Sequence, residues 1–543
     1  MRGDAARSNS DYKDSSSGST TSAWISIILF TLTRVRVARF LARGGLCYTA
    51  AQGVRAHRSE AQVGGMTQIT ILYTGDIHGR VERLTRAAYL AQMHRAELMA
   101  AGKHVLLLDS GDVEERQLLE SDLTEGAAMF RLLKAAGYDA SAVGHSAALT
   151  YGPHVLASIA QSSGLPLVCA NMLTRDVHPT PVPGTTPTVI IPCGPVRVGL
   201  IGLTSPMNGL YERFYPVKIS DVLDAAWRYA HTLRGQGCEV VGVLSHLGYD
   251  LDVQLVQALP DLNFVIGGHS HTLLDYPTDI GGAPICHAGH FGRYLGRLDL
   301  TLDERGRVCQ WFGQLIQVPE DGPEAPDVLR EWRRIQVEAS HIVRETVGHL
   351  SDRVDLASDR ACGMGQLLAD ALRVRMEADA ALCITGHLRA GLHAGPVSLG
   401  DLIRACHSPA NAGLAYLTGA QIVRALEFGA APDIWQQNPH LLRGSVVGIV
   451  QVSGLSYQLD HHAPAGKRVS DVRITGHPVD EKATYRVAAT DYELMPQRGY
   501  VPDLDLGSVD FDSRVPLREI LREHFGKFDP LVPGLRPRIL TES

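Results

Sequence analysis

Residues 69–79 read Ile-Thr-Ile-Leu-Tyr-Thr-Gly-Asp-Ile-His-Gly. The opening residues are strand formers, and the run breaks at Gly75 just before Asp76 and His78. Side chains two apart in an extended segment share a face, so both can turn towards one cation. Their place would be the carboxyl end of a strand, where open α/β sheets keep their sites. Four later segments repeat the pattern. Residues 104–108 run into Asp109-Ser-Gly-Asp112, and 138–143 into Gly144-His145-Ser146. Residues 240–244 run into Ser245-His246, and 263–266 into Gly267-Gly-His269-Ser-His271. One such break carries little weight. Together they predict a metal centre gathered at the rim of a sheet.

Outward from these strands the pattern alternates with helices, which implies an α/β sheet. Leu84, Ala87, Ala88, Leu90, Ala91 and Met93 give 81–101 a helical spacing that stops at Gly102. Further helices are expected over 123–136 and from a Ser220 cap to about Arg234. Strands are expected at 166–171, at 188–204 as a pair around Pro192-Cys-Gly-Pro195, and at 283–287, 293–302 and 308–317. Residues 319–326 form an acidic, Pro-containing break, and 327–344 a highly charged helix that reads as a linker. A second α/β pattern follows, with helices at 363–376, 399–405, 418–428 and 515–525. Its strands are expected at 380–384, 446–452, 455–459, 469–474 and 485–490.

A chain of 543 residues is too long for one ordinary core. A net charge of −7 argues against nucleic-acid binding through a basic surface. An anionic substrate would need local positive charge, which metal ions supply. The nine cysteines are scattered singly with no Cys-x-x-Cys, which favours reduced thiols in a cytoplasm. Residues 1–65 differ from the rest. Residues 4–22 are Ser-rich and polar, as disordered segments are. The apolar run 23–32 is too short to span a bilayer, so no membrane is expected. It could serve as a signal-peptide core, but the arginines follow it. Met66 stands directly before the first strand, and 1–65 reads as a non-domain extension.

Asp76-Ile-His78, Gly111-Asp112, Ser245-His246-Leu-Gly and Gly268-His269-Ser-His271 resemble the motifs of calcineurin-like metallophosphoesterases, in that family's order. Downstream, Gly386-His-Leu-Arg389, Pro409-Ala-Asn411, Leu417-Thr-Gly, Gln451-Val-Ser-Gly454 and Tyr485-Arg-Val-Ala resemble the carboxy-terminal domain of 5′-nucleotidases. The resemblance implies an α/β (α+β) chain: an amino-terminal αββα sandwich over 66–320, a linker helix over 321–345, and a 5′-nucleotidase-like α/β domain over 346–543. It implies two divalent ions, with Zn²⁺, Mn²⁺ or Fe suited to mixed carboxylate and imidazole ligands. Asp76, His78, Asp112 and His271 would hold the first ion. Asp112, His246 and His269 would hold the second, with Asp112 bridging. The implied activity is hydrolysis of a nucleotide or other small phosphate ester by water attack on phosphorus. Cyclic-nucleotide phosphodiesterase and nucleotide-sugar diphosphatase activities are neighbouring options, and a metal- and nucleotide-binding protein without turnover is the alternative outside that class. The resemblance also implies domain motion, with a hinge near 320–345.

The family's third motif is Gly-Asn-His-Glu/Asp, and this chain has Gly144-His145-Ser146-Ala147. His145 takes the ligand Asn's place, and imidazole is the stronger donor. Ser146 replaces the His that serves the leaving group, and the family's supporting carboxylate has no counterpart at Leu149. Since a positioned general acid is worth about 10²–10⁴ in rate, a slow enzyme, one preferring good leaving groups, or one with an acid from elsewhere is expected, His145 being one candidate. Arg389 matches the family's arginine beside the phosphate, Asn411 a base-contacting Asn, and Tyr492 one of two aromatic rings that sandwich the base. The other ring aligns near Ile449, and Met495-Pro-Gln-Arg-Gly499 replaces a glycine-rich segment.

Plainer readings stand beside these. Asp109 reads as a strand-end hydrogen-bonding residue, and His104, His154, His287 and His290 as surface or supporting residues. His461-His462 reads as a solvated turn and His387 as a satisfied loop histidine. Glu114-Glu115-Arg116 is either an exposed helix start or close enough to Asp112 to feel the metals. Arg389 could be a structural ion pair, and Tyr492 a core ring.

Overall fold

The computed structural model describes residues 66–281, 283–408, 410–439, 442, 445–534 and 538–541. The expectations for 1–65 lie outside these residues. The described residues form one compact unit.

The first half is built on two sheets. The seven-stranded sheet runs, edge to edge, Val308–Gln317, Tyr294–Leu302, Thr67–Thr74, His104–Asp109, Ala140–Ala142, Leu167–Val168, Thr185–Thr186. The six-stranded sheet runs Thr278–Asp279, Pro284–His287, Phe264–Gly267, Val240–His246, Val196–Thr204, Thr188–Cys193. Ile71, Leu106, Leu108 and Leu298 of the first pack against Val198, Leu244, Phe264 and Ile266 of the second in one buried core. The other face of the second sheet buries Ile201, Val241 and Val265 against Leu233 and Leu255 of helices Val222–Gly235 and Tyr249–Ala258. Sheets buried on both faces explain the near-continuous apolar runs.

Register aligns the strand ends. Thr67–Thr74 pairs parallel to His104–Asp109 with Thr74 opposite Asp109. Val240–His246 pairs parallel to Phe264–Gly267 with Ser245 opposite Gly267. Each pair therefore releases its Asp and His residues at the same edge.

The second half holds a five-stranded sheet of Val450–Ser453, Ala380–Ile384, Thr484–Thr490, Asn411–Thr418 and Asp510–Pro516. Beside it lies a four-stranded sheet that includes Leu455–Leu459 and Val469–Ile474. Helix Pro326–Ile342 buries Val328, Ile335 and Ala339. Arg131 of helix Ala127–Ala136 reaches its Glu331 and Glu338, at 2.6 and 2.5 Å. The charged helix is thus anchored to the first half.

Several elements differ from expectation. The helix expected over 123–136 is broken into Leu119–Leu123 and Ala127–Ala136, because Glu125 and Gly126 take positive φ of 50° and 91°. Asp221, not Ser220, caps Val222–Gly235, its side chain accepting from the Asp224 amide. The expected strand 446–452 is confined to Val450–Ser453, since Gly448 turns the chain at φ 70°. Strand Asn411–Thr418 was not expected. Its Ala and Gly residues carry little strand propensity, and pairing on both sides imposes the conformation. Among the described residues no helix is long and apolar enough to cross a membrane.

One buried ion cluster ties the halves together. Asp122, 6% exposed, receives Tyr151 Oη at 3.1 Å, Arg116 at 3.6 Å and a close contact from Arg518 of helix Leu517–Lys527. Replacing it with Ala takes the carboxylate from two partly buried guanidinium groups, of which Arg518 keeps Glu519 at 3.4 Å, so the cost falls at or below the ~3 kcal/mol end of what breaking a buried pair typically costs. Asp122→Ala should therefore lower the thermal midpoint by several degrees in calorimetry. An unchanged midpoint would show that water takes over the role.

Candidate metal centre

The two strand-end pairs meet through backbone contacts. The Asp76 amide donates to the Gly111 carbonyl at 2.9 Å and the His78 amide to the Asp112 carbonyl at 3.0 Å. Across the sheets, Ser110 Oγ donates to the Gly267 carbonyl at 3.2 Å, and His246 Nδ1 lies 2.8 Å from the Ser110 carbonyl. The His269 amide reaches both Asp76 oxygens at 3.1 Å.

The result is three overlapping groups whose ligand atoms lie within 4.8 Å of one another: Asp76, His78 and His271; His145, His246 and His269; and Asp76, Asp112 and His246. His78 Nε2 is 3.1 Å from His271 Nε2, and His145 Nδ1 is 3.2 Å from His246 Nε2. All seven side chains predicted from sequence to face the ions are brought together. His145 belongs to the ligand groups, its Nδ1 2.8 Å from Asp112 Oδ2.

The backbone is strained where the ligands sit. Asp76, His78, Asp112, His269 and His271 all take positive φ, between 47° and 74°. Asp and His are among the residues that tolerate this region, and such strain gathers at functional sites. Gly144 has a different necessity: a Cβ there would lie 2.0 Å from Asp112 Oδ1. Gly144→Ala must displace that carboxylate. We expect about 10- to 100-fold weaker metal retention, the range seen when a ligand's support is removed. Dialysis followed by elemental analysis checks it, and full retention would contradict the placement.

The residues fit cations. His145 Nδ1 and His246 Nε2 stand 2.8 and 3.2 Å from Asp112 Oδ2, yet this fully buried oxygen has no partner with hydrogen-bond geometry. His269 Nδ1 is likewise buried without a partner. Buried polar atoms left so are rare, and Asp112 and His269 each stand in a ligand group with His246. The carbonyl at Nδ1 of His246 leaves Nε2 for a cation. Burial opposes charge on Asp112, but the His145 and His246 imidazoles override it and hold the carboxyl well below its usual range. Burial and the neighbouring His246 and His145 push His269 down to about 3, which leaves its ring neutral, as a ligand must be.

The surrounding residues sort as follows. Asp109 is fully buried and accepts from Thr74 Oγ1, Ser141 Oγ and the Gly111 amide, so it is a strand-end hydrogen-bonding residue. His287 is held at 2.8 Å by Asp252 behind the site. His290 stacks on His271 with centroids 4.6 Å apart. Glu114 is buried, not an exposed helix start: Oε1 accepts from the Ala147 amide at 2.5 Å, and Oε2 has no partner. Burial and the Asp112 charge push it up to about 8. Sequence reading left this residue open, and its only signal was a spacing of two from Asp112. The Ser146 amide donates to Asp112 Oδ1 at 2.9 Å, so the third motif steadies the bridging carboxylate through its backbone.

Arg389 is not in the metal cluster. It lines a cleft of about 900 Å³ with Arg360, Thr385, Trp435 and Ser445. Sequence reading missed Trp435 and Arg360. The Asn411 amide donates to Asp491 at 3.0 Å. Tyr492 is 6% exposed, packs within the core of the second half and has Arg498 over its ring at 4.8 Å. His387 is fully buried and satisfied by Ser408, Thr490 and Glu493.

The model of the 5′-nucleotidase C-terminal domain matches residues 346–503. Upstream of that match stand the clustered Asp and His groups that could hold a metal ion. Residues 346–503 thus carry a 5′-nucleotidase C-terminal domain, and the relatives of the chain are metallophosphoesterases and 5′-nucleotidases. The uncharacterized metallophosphoesterase YunD of Bacillus subtilis is 23% identical to it, covering 78% of this chain and 92% of that protein. A snake venom 5′-nucleotidase of Crotalus adamanteus is 24% identical, covering 80% and 82%. The Haemophilus influenzae NAD nucleotidase structure shares the fold, with TM-score 0.55 and 16% identity over 88% of this chain and all of that one. Likeness to metallophosphoesterases implies divalent metal cofactors, and the clustered Asp and His groups could bind such ions.

Proposed function

We propose that the protein hydrolyses phosphate esters of nucleotides, with two divalent ions at the Asp/His centre. The observation that carries this reading is the overlap of the ligand groups. One set of three ends in His271, another in His269, and Asp76, Asp112 and His246 link them. Two ions there would polarise phosphoryl oxygens and acidify water.

The chain's own residues do the rest. Asp76 and Asp112 orient the imidazoles, and the Ser146 amide fixes Asp112. In this reading residues 66–320 carry the chemistry and 346–543 hold the nucleoside, with Arg389 and Arg360 offering planar donors to anionic oxygens in the cleft. No imidazole stands at 146 to protonate the leaving group. Esters with acidic leaving groups should therefore be cleaved faster than nucleoside monophosphates.

Phosphate release tests this. The panel comprises nucleoside monophosphates, a cyclic nucleotide, a UDP-sugar and p-nitrophenyl phosphate, each with and without chelator. Release that is metal-dependent and includes a nucleoside monophosphate supports the proposal. Metal-dependent cleavage of the cyclic nucleotide or UDP-sugar alone would transfer the reading to the neighbouring activities. No metal-dependent release would overturn it.

A further inference from the structure

Beside the first ligand group stands a feature that metal binding does not use. Phe291 takes φ 61°, an outlier for a bulky residue, and its amide donates to the Asp76 carbonyl at 2.7 Å. Its ring lies edge-on to His78 at 5.9 Å and 6.3 Å from the His271 ring. Two guanidinium groups lie over that ring, Arg80 at 4.7 Å and Arg293 at 5.8 Å from its centroid. Both arginines are exposed, and neither has a carboxylate partner among the described residues. His290 packs edge-on to Phe291 at 4.4 Å, which completes the rim.

Strain of this kind persists only where the surroundings impose it. Here it sets an aromatic platform one ring away from two ligands and steadies two positive charges in a chain whose net charge is −7. Cation–π contact orients a guanidinium while leaving its N–H groups free. Those planar donors match the oxygens of a phosphate.

We propose that Arg80 and Arg293, seated on Phe291, form a second anion subsite beside the metal centre. It takes a further phosphate on the substrate, so the preferred class is nucleotides with two phosphates. This rests on the nucleotide-hydrolase reading above and narrows it.

The test compares the metal-loaded protein with an Arg80→Gln/Arg293→Gln variant. Both positions are exposed, so the fold is not at stake. The readout is kcat/KM for ADP and adenosine 3′,5′-bisphosphate relative to AMP. The ratio should fall about 10- to 100-fold in the variant, mainly through KM, the size expected for losing one or two charge-assisted hydrogen bonds. An unaltered ratio overturns the subsite. Calorimetric binding of pyrophosphate against orthophosphate separates the two claims. If neither protein hydrolyses any nucleotide, the hydrolase reading fails. The subsite is then judged on pyrophosphate alone, supported by weaker binding in the variant and overturned by equal binding.

Discussion

An Asp112→Ala protein should lose bound metal and release phosphate more than about 100-fold more slowly than the natural protein. Removing a residue that merely supports a ligand costs about 10- to 100-fold in metal affinity or activity, and Asp112 is more central than that. It is fully buried, lies 2.8 Å from His145 and 3.2 Å from His246, and shares a ligand group with Asp76. Without it only the approach of Asp76 to His246 joins the two sets, and the imidazoles of His145 and His246 face each other with no anion between them. Elemental analysis and phosphate release on the same preparation check this. Near-normal metal content with near-normal turnover would mean that Asp112 is only a structural acid.

Ser146→His should act in the opposite direction. It places an imidazole where the family carries one, next to the carboxylate that the residue 146 amide already holds at 2.9 Å. A positioned general acid contributes about 10²–10⁴ in rate. A gain within that range is expected for nucleoside monophosphates, whose leaving groups need a proton, and little gain for p-nitrophenyl phosphate. The missing carboxylate at Leu149 favours the lower end. Comparison of kcat for the two substrates gives the answer. If the natural protein already turns over AMP rapidly and the substitution adds nothing, the acid comes from another residue. If neither turns over, the reading as a binding protein without turnover gains.

The metal centre was legible because each ligand follows a strand directly. An apolar run ending in Gly or Ser and then Asp or His specifies both the strand and its sharp exit, and the positive φ of Asp76, His78, Asp112, His269 and His271 is that exit seen in the backbone. Parallel register then brings distant positions together. What was not legible depends on cover from elsewhere. Glu114 looks exposed in sequence and is buried because the turn at Glu125 and Gly126 and the Ala147 segment close over it. Gly126 was the available signal for the helix break, outweighed by the apolar periodicity around it. Strand Asn411–Thr418 escaped because Asn411, Ala412, Gly413 and Ala415 are poor strand formers held by two neighbours. Tyr492 matched a motif, but only packing against Arg498 and Tyr500 shows how little of its ring is free.

The central claim is that seven Asp and His side chains from separate strand ends hold a pair of cations. Elemental analysis of the purified protein, run beside phosphate release from AMP, tests it most directly. The account predicts close to two divalent transition-metal ions per chain, lost together with activity in a His246→Ala/His269→Ala variant. A natural protein without bound metal that nonetheless releases phosphate, or a variant that keeps both ions, would contradict it.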